Sequence, residues 1–327
     1  MSETPTIVYI TSRGHSGSTL LDVLIGSHSQ AVGLGEVEVL SSRDRRWSRA
    51  DRLDVRACVC GASPTAACPF WQGVEAALRA EAGIGLRELE LDSGDREIFR
   101  AHNRAFYEAV RRTSGRRLLV DSSKGLDRLA ALLAAGVFDV RCIHLVRDPR
   151  GVAHSHRRRG RSWIEASRRW ISAEMRTRRL LAERSHLRVR YEDLTQEPEP
   201  TLTRIMGWLG LPFESAQLDW TRHAHHNIAG NPMLRSREPA IRFDRSWERG
   251  LSPFQKAVIT WMALPARFPG TFLYDLAPPL WRLPQPRLWR SQEQTFSPGR
   301  GTEGRRAELP PTPAPDGRTP RRSGPRE

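Results

Sequence analysis

Short apolar runs alternate with amphipathic stretches along most of this chain, and that alternation limits the folds open to it. "TIVYI", "RRLLVD", "VRCIHLV" and "LRVRY" each read as a strand. Residues 18–28, carrying Leu20, Leu21, Leu24 and Ile25, read as a helix after the first run. "LDRLAALLAAG" follows the second and stops at Gly136, another helix follows the third, and Leu202, Ile205, Met206 and Leu209 mark one after the fourth, ended by Gly210. Strands joined in this way through helices predict an α/β fold, a three-layer sandwich around a mostly parallel central sheet. Ligands of such folds bind at the carboxyl ends of the strands. Two more helices follow from period-3.6 stripes. One runs from about Asp95 to Thr113, with Ile98, His102, Ala105, Phe106, Ala109 and Val110 on one face. The other has Trp163, Ala166, Trp170, Ala173, Thr177 and Leu180 inside and an Arg-rich outer face.

This pattern predicts one domain over residues 1–283. Residues 42–94 form a less regular, Cys-containing segment of it. After that domain, residues 284–327 dissolve into Pro, Arg, Gly and Ser and predict a disordered tail. No apolar run approaches the roughly 20 residues of a membrane span, and the N-terminus has no signal-like core. Four Cys in 327 residues do not make a disulfide scaffold, which predicts a reducing, cytoplasmic setting.

The formal charge of +15 lies mainly in the body of the chain. From Arg141 to Arg190 there are fifteen Arg against four acids, whereas from Ser291 to the end seven Arg face five acids. Such a field favours an anionic ligand, with a nucleic-acid surface on the Arg-rich helices as the rival reading. Of 52 basic residues only Lys124 and Lys256 are lysine. A lysine kept in an arginine-writing sequence suggests a place for a compact ammonium rather than a planar fork. Lys256 fits a solvated helix face; Lys124, in "VDSSKG", stands at the end of a strand.

The first strand leads into "SRGHSGSTLL". Small residues between a strand and a helix make a phosphate cradle of backbone amides and hydroxyls. A Walker A loop needs Gly, four residues, then Gly-Lys-Ser/Thr. Here both the spacing and the lysine differ, which removes the main support for a P-loop kinase or other phosphotransferase.

With its companions further along, this stretch resembles the phosphosulfate loop of sulfotransferases that use 3′-phosphoadenosine 5′-phosphosulfate (PAPS). The relevant members are bacterial ones related to the protein-tyrosine sulfotransferases. The resemblance implies a P-loop nucleotide-kinase-like sulfotransferase fold and in-line transfer without a metal. It assigns Arg13, Gly14, His15, Ser16, Gly17, Ser18 and Thr19 to the 5′ phosphosulfate. His15 stands at a position where Arg or Lys is commoner, and phosphate nearby is expected to raise its pKa and make it a cationic donor. "IHLVRDPRGVAHSHRRR" resembles the 3′-phosphate motif, giving Arg147 and Ser155. Tyr191 in "VRYEDL" takes the place of a Tyr near the adenosine, and Gly230, Asn231 and Arg235 resemble a loop that closes over the nucleotide.

For the transfer itself, "GLGEVEVL" supplies a Gly35-Glu36 element whose Glu acts as base in the family, with Glu38 as the fallback. Lys124 matches a position near the sulfuryl group, where its ammonium would follow charge on the leaving phosphate; Ser122 and Ser123 would fix it or touch PAPS. The acceptor would be a hydroxyl on a small molecule, glycan, lipid or peptide, with no nucleic acid as partner. Trp163, Trp170, Phe70 and Trp71 are either core or the lining of an apolar acceptor pocket. Cys58, Cys60 and Cys68 resemble an acceptor-side element of bacterial relatives. They are read as a packed loop without metal, because a structural zinc site wants four ligands and a wider first spacing. A kinase, an Arg-rich nucleic-acid-binding protein and a sulfotransferase fold that has lost turnover remain as alternatives.

Overall fold

The computed structural model describes residues 5–41, 58–62, 67–230, 233–236 and 241–267. In chain order the elements are β1 (Thr6–Ser12), α1 (Ser18–Gly26), β2 (Ala31–Gly35), α2 (Pro69–Ala82), α3 (Arg96–Ser114), β3 (Leu118–Lys124) and α4 (Leu126–Ala135). They continue with β4 (Asp139–Val146), α5 (Pro149–Arg157), α6 (Trp163–Leu181), β5 (His186–Arg190), α7 (Tyr191–Gln196) and α8 (Pro198–Trp208). Short helices α9 (Met233–Ser236) and α10 (Ser246–Gly250) precede α11 (Pro253–Arg267). The five strands form one sheet in the order β2-β3-β1-β4-β5, and each neighbouring pair is parallel.

Period-2 alternation in β1 explains the layers. Ile7 and Tyr9 face one core, with Trp71, Val74 and Leu78 of α2, Phe99, Phe106 and Tyr107 of α3, and Leu129 and Leu132 of α4. Val8 and Ile10 face the other, with Leu21 and Leu24 of α1 and Leu202, Ile205 and Met206 of α8. The expected three-layer sandwich with a mostly parallel sheet is therefore present. A third cluster, Val146, Val152, Trp170, Ile171, Met262 and Ala263, packs α5, α6 and α11 together.

Two details differ from expectation. The inner face of α3 is Phe99, Asn103, Phe106, Tyr107, Ala109 and Val110, and Ile98 is 37% exposed. The stripe is rotated because its polar members are satisfied inside. The Asn103 amide donates to the Leu91 and Phe99 carbonyls at 3.1 and 2.8 Å. The Tyr107 hydroxyl donates to Asp121 Oδ2 at 2.8 Å, and Arg128 donates to Asp121, Asn103 and Tyr107. The second difference is β2, an edge strand spelled Ala-Val-Gly-Leu-Gly that carries no strand signal. Its partner across the edge is the backbone of Ile228, which donates to Leu34 O and accepts from Glu36 N, both at 2.8 Å. Gly35 has φ 77°, and a Cβ there would lie 2.3 Å from Ile228 O. Only glycine permits that approach. The tail and residues 42–57 and 63–66 lie outside the described residues.

Candidate functional site

Because all strands are parallel, their carboxyl ends meet on one edge, and the residues picked from sequence fall there. Ser12 ends β1, Glu36 follows β2, Lys124 ends β3, Arg147 follows β4 and Tyr191 follows β5. The loop from Arg13 to Gly17 lies between β1 and α1 and separates two cavities. Ser12, Arg13 and Gly14 line one of about 390 Å³, together with Glu36, Glu38, Ser123, Lys124, Arg169 and Arg176. His15 and Gly17 line the other, of about 410 Å³, together with Arg147, Ser155, Arg158, Arg159, Tyr191 and Asp244. Both fall in the range of about 300–1,000 Å³ usual for small-molecule sites.

The loop is built around unsatisfied donors. Ser12 Oγ, Arg13 Nε and Ser16 Oγ are buried without a hydrogen-bond partner, as is the neighbouring His156 Nε2. Each such orphan costs about 1–3 kcal/mol, a cost that a ligand accepting those bonds would remove. Burial, with Arg169 and Arg161 nearby, pulls the pKa of Arg13 down. Gly17 caps α1 at φ 92°, and a Cβ there would sit 2.5 Å from Tyr191 Cδ2. The tyrosine is thus seated directly on the loop between β1 and α1.

In the second cavity Arg147 is fixed on three sides. It donates to His15 O at 2.9 Å, stacks 4.3 Å over the Tyr191 ring, and donates to Asp244 Oδ2 at 2.9 Å. The Asp244 carboxylate holds the fork as an anion would. Burial acts against its charge, but hydrogen bonds from Ser246 and Arg147 pull its pKa down to about 2. Arg159 donates to Ser155 Oγ at 3.0 Å and to His15 Nδ1 at 3.0 Å. The surroundings of His15 act against the charge that a nearby phosphate is expected to favour. Burial, then Arg159, His156 and Lys124, push its pKa down to about 4, and the cation at this point is Arg159. Neither Arg159 nor Asp244 was evident from sequence; Arg159 stood unremarked in "HRRRG" four residues after Ser155.

In the first cavity the Lys124 ammonium donates to Glu36 Oε1 in a direct ion pair. Lys124 adopts φ 70° at the strand end. Ser123 Oγ accepts from Glu38 N at 3.1 Å and donates to Asp121 Oδ1 at 2.5 Å, so it braces β3 against the turn that carries both glutamates. Asp22 of α1 accepts from Gly35 N at 3.1 Å and from Asn227 Nδ2 at 2.5 Å, and burial pushes its pKa up to about 7. Glu36 and Glu38 both line this cavity; Trp163 and Trp170 instead join cores between α5, α6, α10 and α11. Asn231 lies outside the described residues; Arg235 lies on α9, with its side chain outside them.

A family model described as "Sulfotransferase family" matches residues 5–215, which span β1 through α8 and every site element above except the segment after residue 215. The chain belongs to the sulfotransferase family. Two solved structures of similar fold are a sulfotransferase domain from the curacin biosynthetic pathway and one from the Synechococcus PCC 7002 olefin synthase. The first is 20% identical with a TM-score of 0.53, covering 82% of this chain and 99% of that one. The second is 22% identical with a TM-score of 0.52, covering 80% and 95%. At such identities the likeness concerns the fold. No curated protein matches the sequence. Family membership favours neither the kinase nor the nucleic-acid reading. Among the described residues no helix is long and apolar enough to cross a membrane.

Proposed function

We propose that this member of the sulfotransferase family moves a sulfuryl group from PAPS to a hydroxyl of an acceptor, leaving 3′-phosphoadenosine 5′-phosphate (PAP). The observation that carries the reading is the pair of cavities on either side of one loop whose buried donors lack partners. The cavity lined by Arg147 and Tyr191 suits the nucleotide. Arg147, Arg159 and Ser155 offer charged and neutral donors to a 3′ phosphate, and Tyr191 offers an aromatic face. The loop from Arg13 to Thr19 takes the 5′ phosphosulfate through its hydroxyls, Arg13 and the start of α1. Two phosphates beside His15 would favour the protonated form that burial, and then the arginines, disfavour.

The other cavity holds the acceptor. Glu36 takes the proton from its hydroxyl, the oxygen attacks sulfur, and the bond from sulfur to the 5′ phosphate oxygen breaks, with charge passing to PAP. Lys124 supports the charge that develops on the leaving oxygen. In the free protein Lys124 and Glu36 hold each other. An arriving phosphosulfate gives the ammonium a second anion and frees the carboxylate to work as a base, so donor binding prepares the acceptor site.

Ligand-dependent melting tests the donor assignment. PAP at 100 times its dissociation constant should add roughly 2.7 kcal/mol of stability by mass action. A melting curve that ATP shifts and millimolar PAP does not would refute it.

A further inference from the structure

The three cysteines set aside as a packed loop gain a fourth companion in the fold. His226, 158 residues beyond Cys68, comes within 3.3 Å of its sulfur through Nδ1. It stands 3.9 Å from Cys58 Sγ. Cys58 and Cys68 sulfurs are 3.7 Å apart, and Cys60 Sγ is 3.1 Å from Cys58 Sγ. All four donor atoms lie within 4.8 Å of one another. A tetrahedral zinc with Zn–S of about 2.3 Å and Zn–N of about 2.0–2.1 Å requires edges of about 3.8 Å between sulfurs and about 3.5 Å from sulfur to nitrogen. Three of the four separations match those edges closely, and the fourth is short by less than an ångström. The narrow Cys-x-Cys spacing is accommodated by a turn closed by Gly61 N donating to Cys58 O at 3.1 Å, which brings both sulfurs to one point.

We propose that Cys58, Cys60, Cys68 and His226 form a structural site for one zinc-class divalent cation. Cys58 and Cys68 are buried within the core, and Cys60 is exposed. His226 turns its Nδ1 toward the Cys58 and Cys68 sulfurs. The ring is already oriented. Phe70 stacks on it at 5.3 Å, and Trp71 Nε1 donates to His226 O at 2.7 Å.

The position of the site gives the cation a task. Val59 N donates to Asn227 O at 3.0 Å, and the next residue, Ile228, is the backbone that pairs with Leu34 and Glu36. The cation would staple Cys58, Cys60 and Cys68 to the strip that holds the end of β2. This consequence for Glu36 rests on the proposed transfer reading; the metal site itself does not.

The test is metal analysis of the full chain, purified reduced and dialysed against a weak chelator. About one equivalent of zinc is expected, and cobalt(II) replacing it should give thiolate-to-metal charge-transfer and tetrahedral ligand-field absorption. Cys60→Ser, which alters the exposed ligand, should weaken zinc binding at least tenfold and remove part of the charge-transfer band while the protein stays folded. Stripped protein should melt lower and regain its melting point with zinc. PAP binding, measured on the same samples, reads the donor cavity separately, so loss of PAP binding alone refutes the transfer reading and leaves the metal site standing. A folded protein that neither carries nor takes up zinc, or one with a disulfide among the three cysteines, overturns the proposal.

Discussion

Glu36→Gln separates chemistry from binding more sharply than any other single change. Glutamine keeps the size of the side chain and an oxygen that accepts from Lys124, but it cannot take a proton. Base catalysis is typically worth about 10²–10⁴-fold, which corresponds to roughly 2.7–5.5 kcal/mol of barrier. The ion pair that is lost is partly open to solvent, its side chains being 20% and 28% exposed. Screening at that exposure limits its contribution to stability to about 1 kcal/mol, a fall of about 2–4 °C in melting temperature for a domain of this size. Glu36 lines the cavity proposed for the acceptor and not the one with Arg147 and Tyr191, so PAP affinity should stay within about twofold. The assay is single-turnover transfer at saturating PAPS, with PAP affinity measured by calorimetry on the same preparation. Glu38→Gln serves as the control, because Glu38 lines the same cavity. A Glu36→Gln protein that transfers at the parental rate refutes the base assignment. A rate loss matched by an equal loss of PAP affinity would show that Glu36 acts through binding instead.

Arg147→Ala should weaken PAP binding by roughly 1.5–3 kcal/mol, as expected for a charged hydrogen bond, and calorimetry showing unchanged affinity in a folded variant would remove this residue from the donor site. Asp244→Asn should do the reverse and tighten PAP several-fold, because the carboxylate now on the Arg147 fork repels a phosphate; weaker binding would mean that Asp244 positions the arginine rather than competing for it. His15 and His156 both have pKa values pushed down to about 4, by burial first and then by arginines. Between about pH 6.5 and 4 the unfolded chain binds protons that the folded form refuses, so the free protein should lose stability as pH falls through that window. Melting curves of the parent and His15→Gln that run parallel across it would refute this account for His15.

Much of the site could be read from the chain because it is local. Strand, small-residue loop and helix are contiguous from Thr6 to Gly26, and the Arg147–Ser155 spacing lies within one strand-to-helix junction. Apolar periodicity therefore settled the layer architecture, and parallel strands forced these junctions onto one edge. What depended on distant segments was hidden. β2 has no strand signal, and its Gly35 answers to the approach of Ile228, nearly two hundred residues later. The stripe of α3 differs because Asn103 and Tyr107 find polar partners inside, Arg128 and Asp121 among them. The lowered pKa of His15 depends first on its burial and then on Arg159 and His156, which tertiary packing brings against it. The cysteines lacked a fourth potential metal ligand nearby until the fold delivered His226. Sequence determines which backbone conformations and faces are favourable residue by residue. Which charges and ligands meet is a matter of through-space distance, and only the packed tertiary structure decides it.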